Sequence, residues 1–259
     1  MSLLKRLKKN RKIGLKSLAI LLDPDKTTPE DARKLAIQAR EYHVDYLFVG
    51  GSLITNDQFS GLIAQLKKDC DIPVIIFPGS NLQICPEADG ILLLSLISGR
   101  NPEYLIGQHV IAAPVLRQTD LAILPTGYIL IDCGRPTTVS YISNTTPIPY
   151  DKPSIAACTA LAGQMLGLKL IYLDGGSGAL KPVSAEMISQ VKATTKVPLI
   201  VGGGINSPEK ARTALEAGAD IIVVGNALEE NPGLLSEIAT CVSEANRNNT
   251  GNKQKHLQK

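Results

Sequence analysis

The 259-residue sequence has no tryptophan, and aromatic residues make up only 4% of it. A surface that stacks nucleobases therefore has little to be built from. Charge of either sign is also unconcentrated: the net is +3, with no dense basic stripe, so no nucleic-acid partner is expected. No apolar run reaches the roughly 18 residues that a membrane-spanning helix needs. Five cysteines occur (Cys70, Cys85, Cys133, Cys158 and Cys241), an odd count without a CxxC pair or a secretory signal. They read as reduced thiols, which places the chain in the cytoplasm.

Hydrophobic residues make up 44% of the sequence, enough for a large core. Short β-branched runs recur: 18–23, 45–50, 73–79, 90–96, 128–132, 170–175, 198–204 and 220–226. Their near-continuous apolar character suits parallel strands buried on both faces. Segments of helical period lie between them, among them PEDARKLAIQARE and SPEKARTALEAGA. Alternation of this kind implies right-handed βαβ units, and eight of them make a single (β/α)8 TIM barrel, a fold that commonly runs about 250 residues. Only SNLQICPEAD joins the third and fourth strands, so that crossover is expected to be shortened, without a full helix. The Thr-, Ser- and Pro-rich stretch from Arg135 to Tyr150 follows strand five; it is either a lid or a long loop without function. The basic N-terminus (MSLLKRLKKNRKIGLKS) is either a helix closing the barrel bottom or a transient membrane-surface contact. One domain is expected over residues 1–246, with a polar, disordered tail at 247–259.

Glycine clusters follow each of the last three strands: Tyr172-Leu173-Asp174-Gly175-Gly176-Ser177-Gly178, then Gly202-Gly203-Gly204, then Gly225-Asn226. Glycine lets the backbone approach a ligand closely, and exposed amides there hold a phosphate dianion. Barrels place such sites after strands seven and eight. Structural turns are the plain alternative. The Ser177 hydroxyl and the Asn226 amide are further phosphate donors. Strand one ends in Asp23-Pro24-Asp25-Lys26 and strand two in Gly50-Gly51-Ser52. Carboxylates and a hydroxyl beside a phosphate suit Mg2+, which takes one or two carboxylates plus substrate phosphate oxygens. A turn with a solvated acidic cap and a helix N-cap are the plain readings of these two segments. Asp174 closes strand six, where a carboxylate can take a proton from a substrate hydroxyl, and Tyr172 shares its face. A core tyrosine with a capping aspartate is the alternative. None of the three histidines ends a strand, so histidine chemistry is not expected. Arg100 and Arg135, after strands four and five, are either diphosphate partners or surface residues.

Taken together, LLDPDK, DYLFVGGS, IPVIIFPGS, ADGILLLSLISGRNPEYLIG, LPTGYILID, GRPTTVSYISNTTPIP, YLDGGSGA, PLIVGGGI and ADIIVVGNA resemble the geranylgeranylglyceryl phosphate synthase family. The long GRPTTVSYISNT stretch and YLDGGSGA are similar to its larger group, found in archaea and some bacteria. The smaller group has a lysine where this chain has Leu21, and a glutamate where it has Asp174. The resemblance implies a Mg2+-dependent prenyltransferase that joins sn-glycerol 1-phosphate to a polyprenyl diphosphate. It implies Asp23 and Ser52 as metal ligands. Glycerol phosphate would then lie against Tyr172 to Gly178, Gly203, Gly204, Gly225 and Asn226. It also implies a homo-oligomer, a dimer or a hexamer. The competing readings are a sugar-phosphate isomerase or aldolase, with Lys26 as a Schiff-base candidate, and a non-catalytic phosphometabolite-binding barrel.

Overall fold

The computed structural model describes residues 2–225, 227–231 and 233–256. Eight parallel strands close into one barrel in sequence order. They are β1 (Ser17–Leu22), β2 (Tyr46–Gly51), β3 (Val74–Pro78), β4 (Gly90–Leu96), β5 (Ala122–Leu130), β6 (Leu170–Asp174), β7 (Leu199–Gly202) and β8 (Ile221–Val224). The helices between them are α2 (Pro29–Glu41), α3 (Phe59–Asp69), α4 (Gln108–Leu116, entered through a π-turn at Glu103–Gly107), α5 (Thr138–Ile142), α6 (Pro153–Met165), α7 (Ala185–Thr194) and α8 (Pro208–Glu216). Short α9 (Ala227–Glu230) and long α10 (Leu234–His256) follow β8, and α1 (Leu3–Ile13) precedes β1. Several helices start where the sequence supplies a cap. Thr28, Ser184 and Ser207 each accept a hydrogen bond from the amide three residues on, and Pro29 and Pro208 sit in the first turn.

Strand side chains alternate between two cores. One set, which includes Ile20, Leu47, Ile76, Leu173 and Val201, packs between sheet and helices; the other fills the barrel with Ala19, Tyr46, Phe48, Phe77, Tyr128 and Tyr172. The inner set also contains Leu7 of α1, so the N-terminal helix closes the barrel bottom, and Arg11 fastens it by donating to the carbonyls of Val197 and Thr195. Among the described residues no helix is long and apolar enough to cross a membrane.

Three strands are pinned at the bottom by one recurring device. Asp45, Asp89 and Asp220 each stand just before an even-numbered strand and accept from the first amides of the strand before it: Leu18, Val74 and Leu199, at 2.8–3.0 Å. These amides lie at strand starts, where a buried N–H without a partner is costly.

Three differences from the sequence reading have physical causes. β5 starts at Ala122, six residues earlier than its apolar run suggests, because Pro125 looks like a breaker. Here Pro125 pairs with Leu93, and its carbonyl accepts from the amide of Lys169. The Arg135–Tyr150 stretch is not a plain loop: Thr137 and Ser140 form a capping box that starts α5, and a bridge between Ile131 and Ile148 closes the segment. The polar stretch after Asn246 belongs to α10, which runs on to His256; Asn246 exchanges hydrogen bonds with the backbone of Lys16 and Asn249 donates to Gly14. Residues 257–259 lie outside the described residues.

Asp220 is 4% exposed and also binds Lys192 Nζ at 2.5 Å, with Arg11 Nε at 3.8 Å. Asp220→Ala leaves Lys192 and the Leu199 amide without their acceptor and takes away the carboxylate opposite Arg11, so it is expected to cost about 3 kcal/mol in denaturant unfolding. Asp89→Ala strands the Val74 amide and a half-exposed Lys67, and about 1 kcal/mol is expected. Equal losses for the two variants would show that the burial argument is wrong.

Candidate active site

The mouth cavity lies at the C-terminal ends of the strands. It is lined by Asp23 and Lys26 after β1, Gly50 to Leu53 at the end of β2, Arg135 after β5, Tyr172, Asp174, Gly176, Ser177 and Gly178 around the end of β6, Gly203 to Asn206 after β7, and Gly225 after β8. Gly176, Gly178, Gly203 and Gly204 all have positive φ. Space is as decisive as φ at Gly203, where a Cβ would come within 2.8 Å of the backbone of Gly175 and Gly176. The β6 and β7 loops therefore touch backbone to backbone, and the amide of Gly175 donates to Gly202 O. A side chain at Gly178 would overlap the Arg135 guanidinium, which lies across that loop.

Most residues expected at the site do meet there: Asp23, Ser52, Tyr172, Asp174, Gly176, Ser177, Gly178, Gly203, Gly204 and Gly225 all line the one cavity. Leu173 does not. Strand alternation turns it outward, fully buried among the residues between sheet and helices. Gly175 lies under the loop against Cys133, whose buried thiol is pushed up to about 12 and stays protonated. Asn226 lies outside the described residues. Of the two acidic residues after β1, only Asp23 faces the mouth. Asp25 turns away to accept from the amides of Thr55 and Asn56 and from the Thr55 hydroxyl, which holds the loop after β2. Arg135 lines the mouth, whereas Arg100 is turned to the carbonyl of Gly99.

Asp174 is 7% exposed. Its Oδ1 accepts from the Gly176 amide at 2.8 Å and its Oδ2 from the Tyr128 hydroxyl at 2.5 Å. Burial holds its pKa above the ordinary carboxylate value, and the two donated hydrogen bonds partly offset that. Tyr128 was not visible as a site residue in the sequence. The signal available is register: Tyr128 pairs with Tyr172 across β5 and β6, so the two tyrosines share one inward layer. With Phe77 they form an aromatic cluster whose ring centres are 5.4–6.0 Å apart.

Behind that cluster runs a second, apolar cavity. It occupies the place left by the missing helix between β3 and β4 and is lined by Ile84, Leu93, Leu94, Ala112 and Leu116. Gly51, Ser52, Phe77, Tyr128 and Val139 line both cavities, so a polar mouth and an apolar groove share one wall.

Asp23 Oδ1 accepts from the Asp25 amide, and Lys26 Nζ stands 3.6 Å from Oδ2. The carboxylate remains part-exposed on the cavity, with Ser52 in the same wall. Two hard oxygen donors and open space for phosphate oxygens fit Mg2+. Lys26, the Schiff-base candidate, is ion-paired and 44% exposed, without the desolvation that activates a lysine nucleophile.

The profile of the PcrB family matches residues 10–244. The geranylgeranylglyceryl phosphate synthase of Spirosoma linguale is 57% identical over 234 residues, which is 90% of this chain and 94% of the relative. That of Chitinophaga pinensis is 54% identical over 232 residues, or 90% and 92% of the two chains. The crystal structure of (S)-3-O-geranylgeranylglyceryl phosphate synthase from Thermoplasma acidophilum, in complex with substrate sn-glycerol-1-phosphate, superposes with a TM-score of 0.89 at 33% identity. That match covers 94% of this chain and 99% of the other.

A raised carboxyl pKa in the folded state has a stability consequence. Between the unfolded and the raised folded value the folded chain binds more protons, so stability falls as pH rises through that window. Asp174→Asn keeps the shape and can still pair with Tyr128 and Gly176, yet carries no charge to bury. Its stability relative to the parent is expected to grow as pH rises above the ordinary carboxylate range, measured as Tm at a series of pH values. A constant or shrinking difference would contradict the burial of an ionisable carboxylate there.

Proposed function

The chain belongs to the PcrB family, and we propose that it is a prenyltransferase that forms an ether bond between sn-glycerol 1-phosphate and a polyprenyl diphosphate of the geranylgeranyl class. The observation that carries this reading is the shared wall: a polar, glycine-lined mouth meets an apolar groove at Phe77 and Tyr128. A small phosphorylated alcohol suits the first and a polyprenyl chain the second. The likeness to the Thermoplasma acidophilum enzyme and its glycerol phosphate complex supports the same pairing.

In this reading the loops after β6, β7 and β8 hold the phosphate through Ser177, Gly178, Gly203, Gly204, Gly225 and Asn226, with Arg135 adding charge. The C3 hydroxyl then lies toward Asp174, and Tyr172 borders it. The hydroxyl oxygen bonds to C1 of the prenyl chain as the bond from C1 to diphosphate breaks, and Asp174 takes the proton. Diphosphate leaves with the electron pair. Asp23 and Ser52 would hold Mg2+, which when bound supplies positive charge to the diphosphate. Most of the acceleration comes from orientation and from charge placed beforehand.

A homo-oligomer and a cytoplasmic location belong to the same proposal. Ile106, Val110, Ile111 and Val115 are 50–64% exposed on and beside α4, an apolar face suited to a second copy. The five free thiols suit a reducing compartment.

The test is incubation of the purified protein with labelled sn-glycerol 1-phosphate, Mg2+ and polyprenyl diphosphates of graded length, read by mass spectrometry. An ether product that disappears with EDTA is expected. Asp174→Asn should lower turnover by roughly 10²- to 10⁴-fold with glycerol phosphate binding retained. No product from any donor would overturn the reading.

A further inference from the structure

Asp174 is an unusual base in one respect: both of its oxygens are already engaged. The Gly176 amide is a local partner two residues on. Tyr128 comes from the neighbouring strand, where Leu130 is the residue that pairs with Asp174, so its hydroxyl reaches diagonally across the inner layer. The terminal torsion of an aspartate is soft, and a single contact leaves the carboxylate free to swing. Two donors on different oxygens fix it. Tyr128 can serve as such a fixed point because its ring has little freedom. It packs edge-on against Tyr172, with centres 5.5 Å apart at 81°, and against Phe77, 6.0 Å apart at 69°.

We propose that Tyr128 is a positioning residue for the reaction: its hydroxyl holds the Asp174 carboxylate aimed at the acceptor while its ring walls the groove that takes the prenyl chain. This rests on the reading of Asp174 as the proton acceptor. Tyr128 donates and does not itself ionise, since burial and the adjacent carboxylate push its phenol well above the usual value. A donor to the ionised form favours that form, so Tyr128 also works against the burial that favours the neutral acid. The other titratable neighbours do not duplicate this. Tyr172, on the same strand, is fully buried and its hydroxyl lies against Gly202. Cys133, in the loop after β5, stays neutral. Lys26, Arg135 and Asp23 line the same cavity without a hydrogen bond to Asp174 among those described.

Tyr128→Phe keeps the ring and removes the oxygen. The expected result is a fall in kcat of roughly ten- to a hundredfold, with KM for glycerol phosphate within about twofold. The acid limb of the kcat profile should move to higher pH, because Asp174 must ionise without one of its donors. Two further measurements keep the proposal testable should the variant be unstable or the reaction assay be silent. One is 3,5-difluorotyrosine at position 128, a stronger donor of the same shape, which should move the limb to lower pH. The other is the carboxyl 13C titration of Asp174 in the parent and the variant, read without any substrate. A higher Asp174 pKa in Tyr128→Phe supports the proposal even if the parent forms no ether product, an outcome that would count against the assigned reaction alone. Unchanged kcat and an unchanged carboxyl titration would overturn it. So would a rise confined to KM for the prenyl donor, which would leave Tyr128 as groove wall only.

Discussion

Closing eight parallel strands into a barrel gives each strand one inward face, and that restriction decides which side chains reach the mouth. On β6 the inward positions are Leu170, Tyr172 and Asp174, and the outward ones carry Ile171 and Leu173 to the helix layer. The strand ends there, so Asp174 is the last inward residue before the glycine loop. Its neighbour β5 presents Tyr128 in the matching layer. Along β6, site and core are thus one continuous stack, with Leu170 below, Tyr172 in the aromatic layer above it, and the Asp174 carboxylate on top.

That stack puts a charged group where water is scarce. The carboxylate is tolerated because two donors meet it, and in the proposed reaction the same burial that disfavours its charge makes it the stronger proton acceptor. The bottom of the barrel treats burial differently. There Asp220 is surrounded by cations and an amide, and its work is to hold β7, α7 and α1 together. Under the proposed function, buried aspartates at the two ends of one barrel serve opposite purposes, chemistry at the C-terminal face and cohesion at the other.

The barrel was legible in the sequence because parallel strands buried on both faces leave long β-branched runs, and the glycine loops because backbone contact between β6 and β7 admits no side chain. The thin crossover between β3 and β4 was legible from its short connecting segment, SNLQICPEAD, and the apolar groove lies beside it. What escaped was decided by register and by local competition for hydrogen bonds. Asp25 and Asp23 look equivalent along the chain, yet the amides of Thr55 and Asn56 capture one and leave the other on the cavity. Tyr128 sits within an apolar run like any core residue until β5 and β6 are aligned. Pro125 hid the start of β5 because strand pairing can use its carbonyl without an amide. The capping box that starts α5 is a four-residue pattern, Thr137 to Ser140, inside a stretch whose composition reads as loop.

The proposed reaction depends on the relation between the glycine loops after β6, β7 and β8 and Asp174. The most direct measurement is a crystal structure of this protein with sn-glycerol 1-phosphate bound. The phosphate should lie against Gly178, Gly203, Gly204 and Gly225, with a free hydroxyl within hydrogen-bond distance of a carboxylate oxygen of Asp174. A phosphate seated elsewhere, or a bound molecule whose hydroxyls all turn away from Asp174, would contradict it.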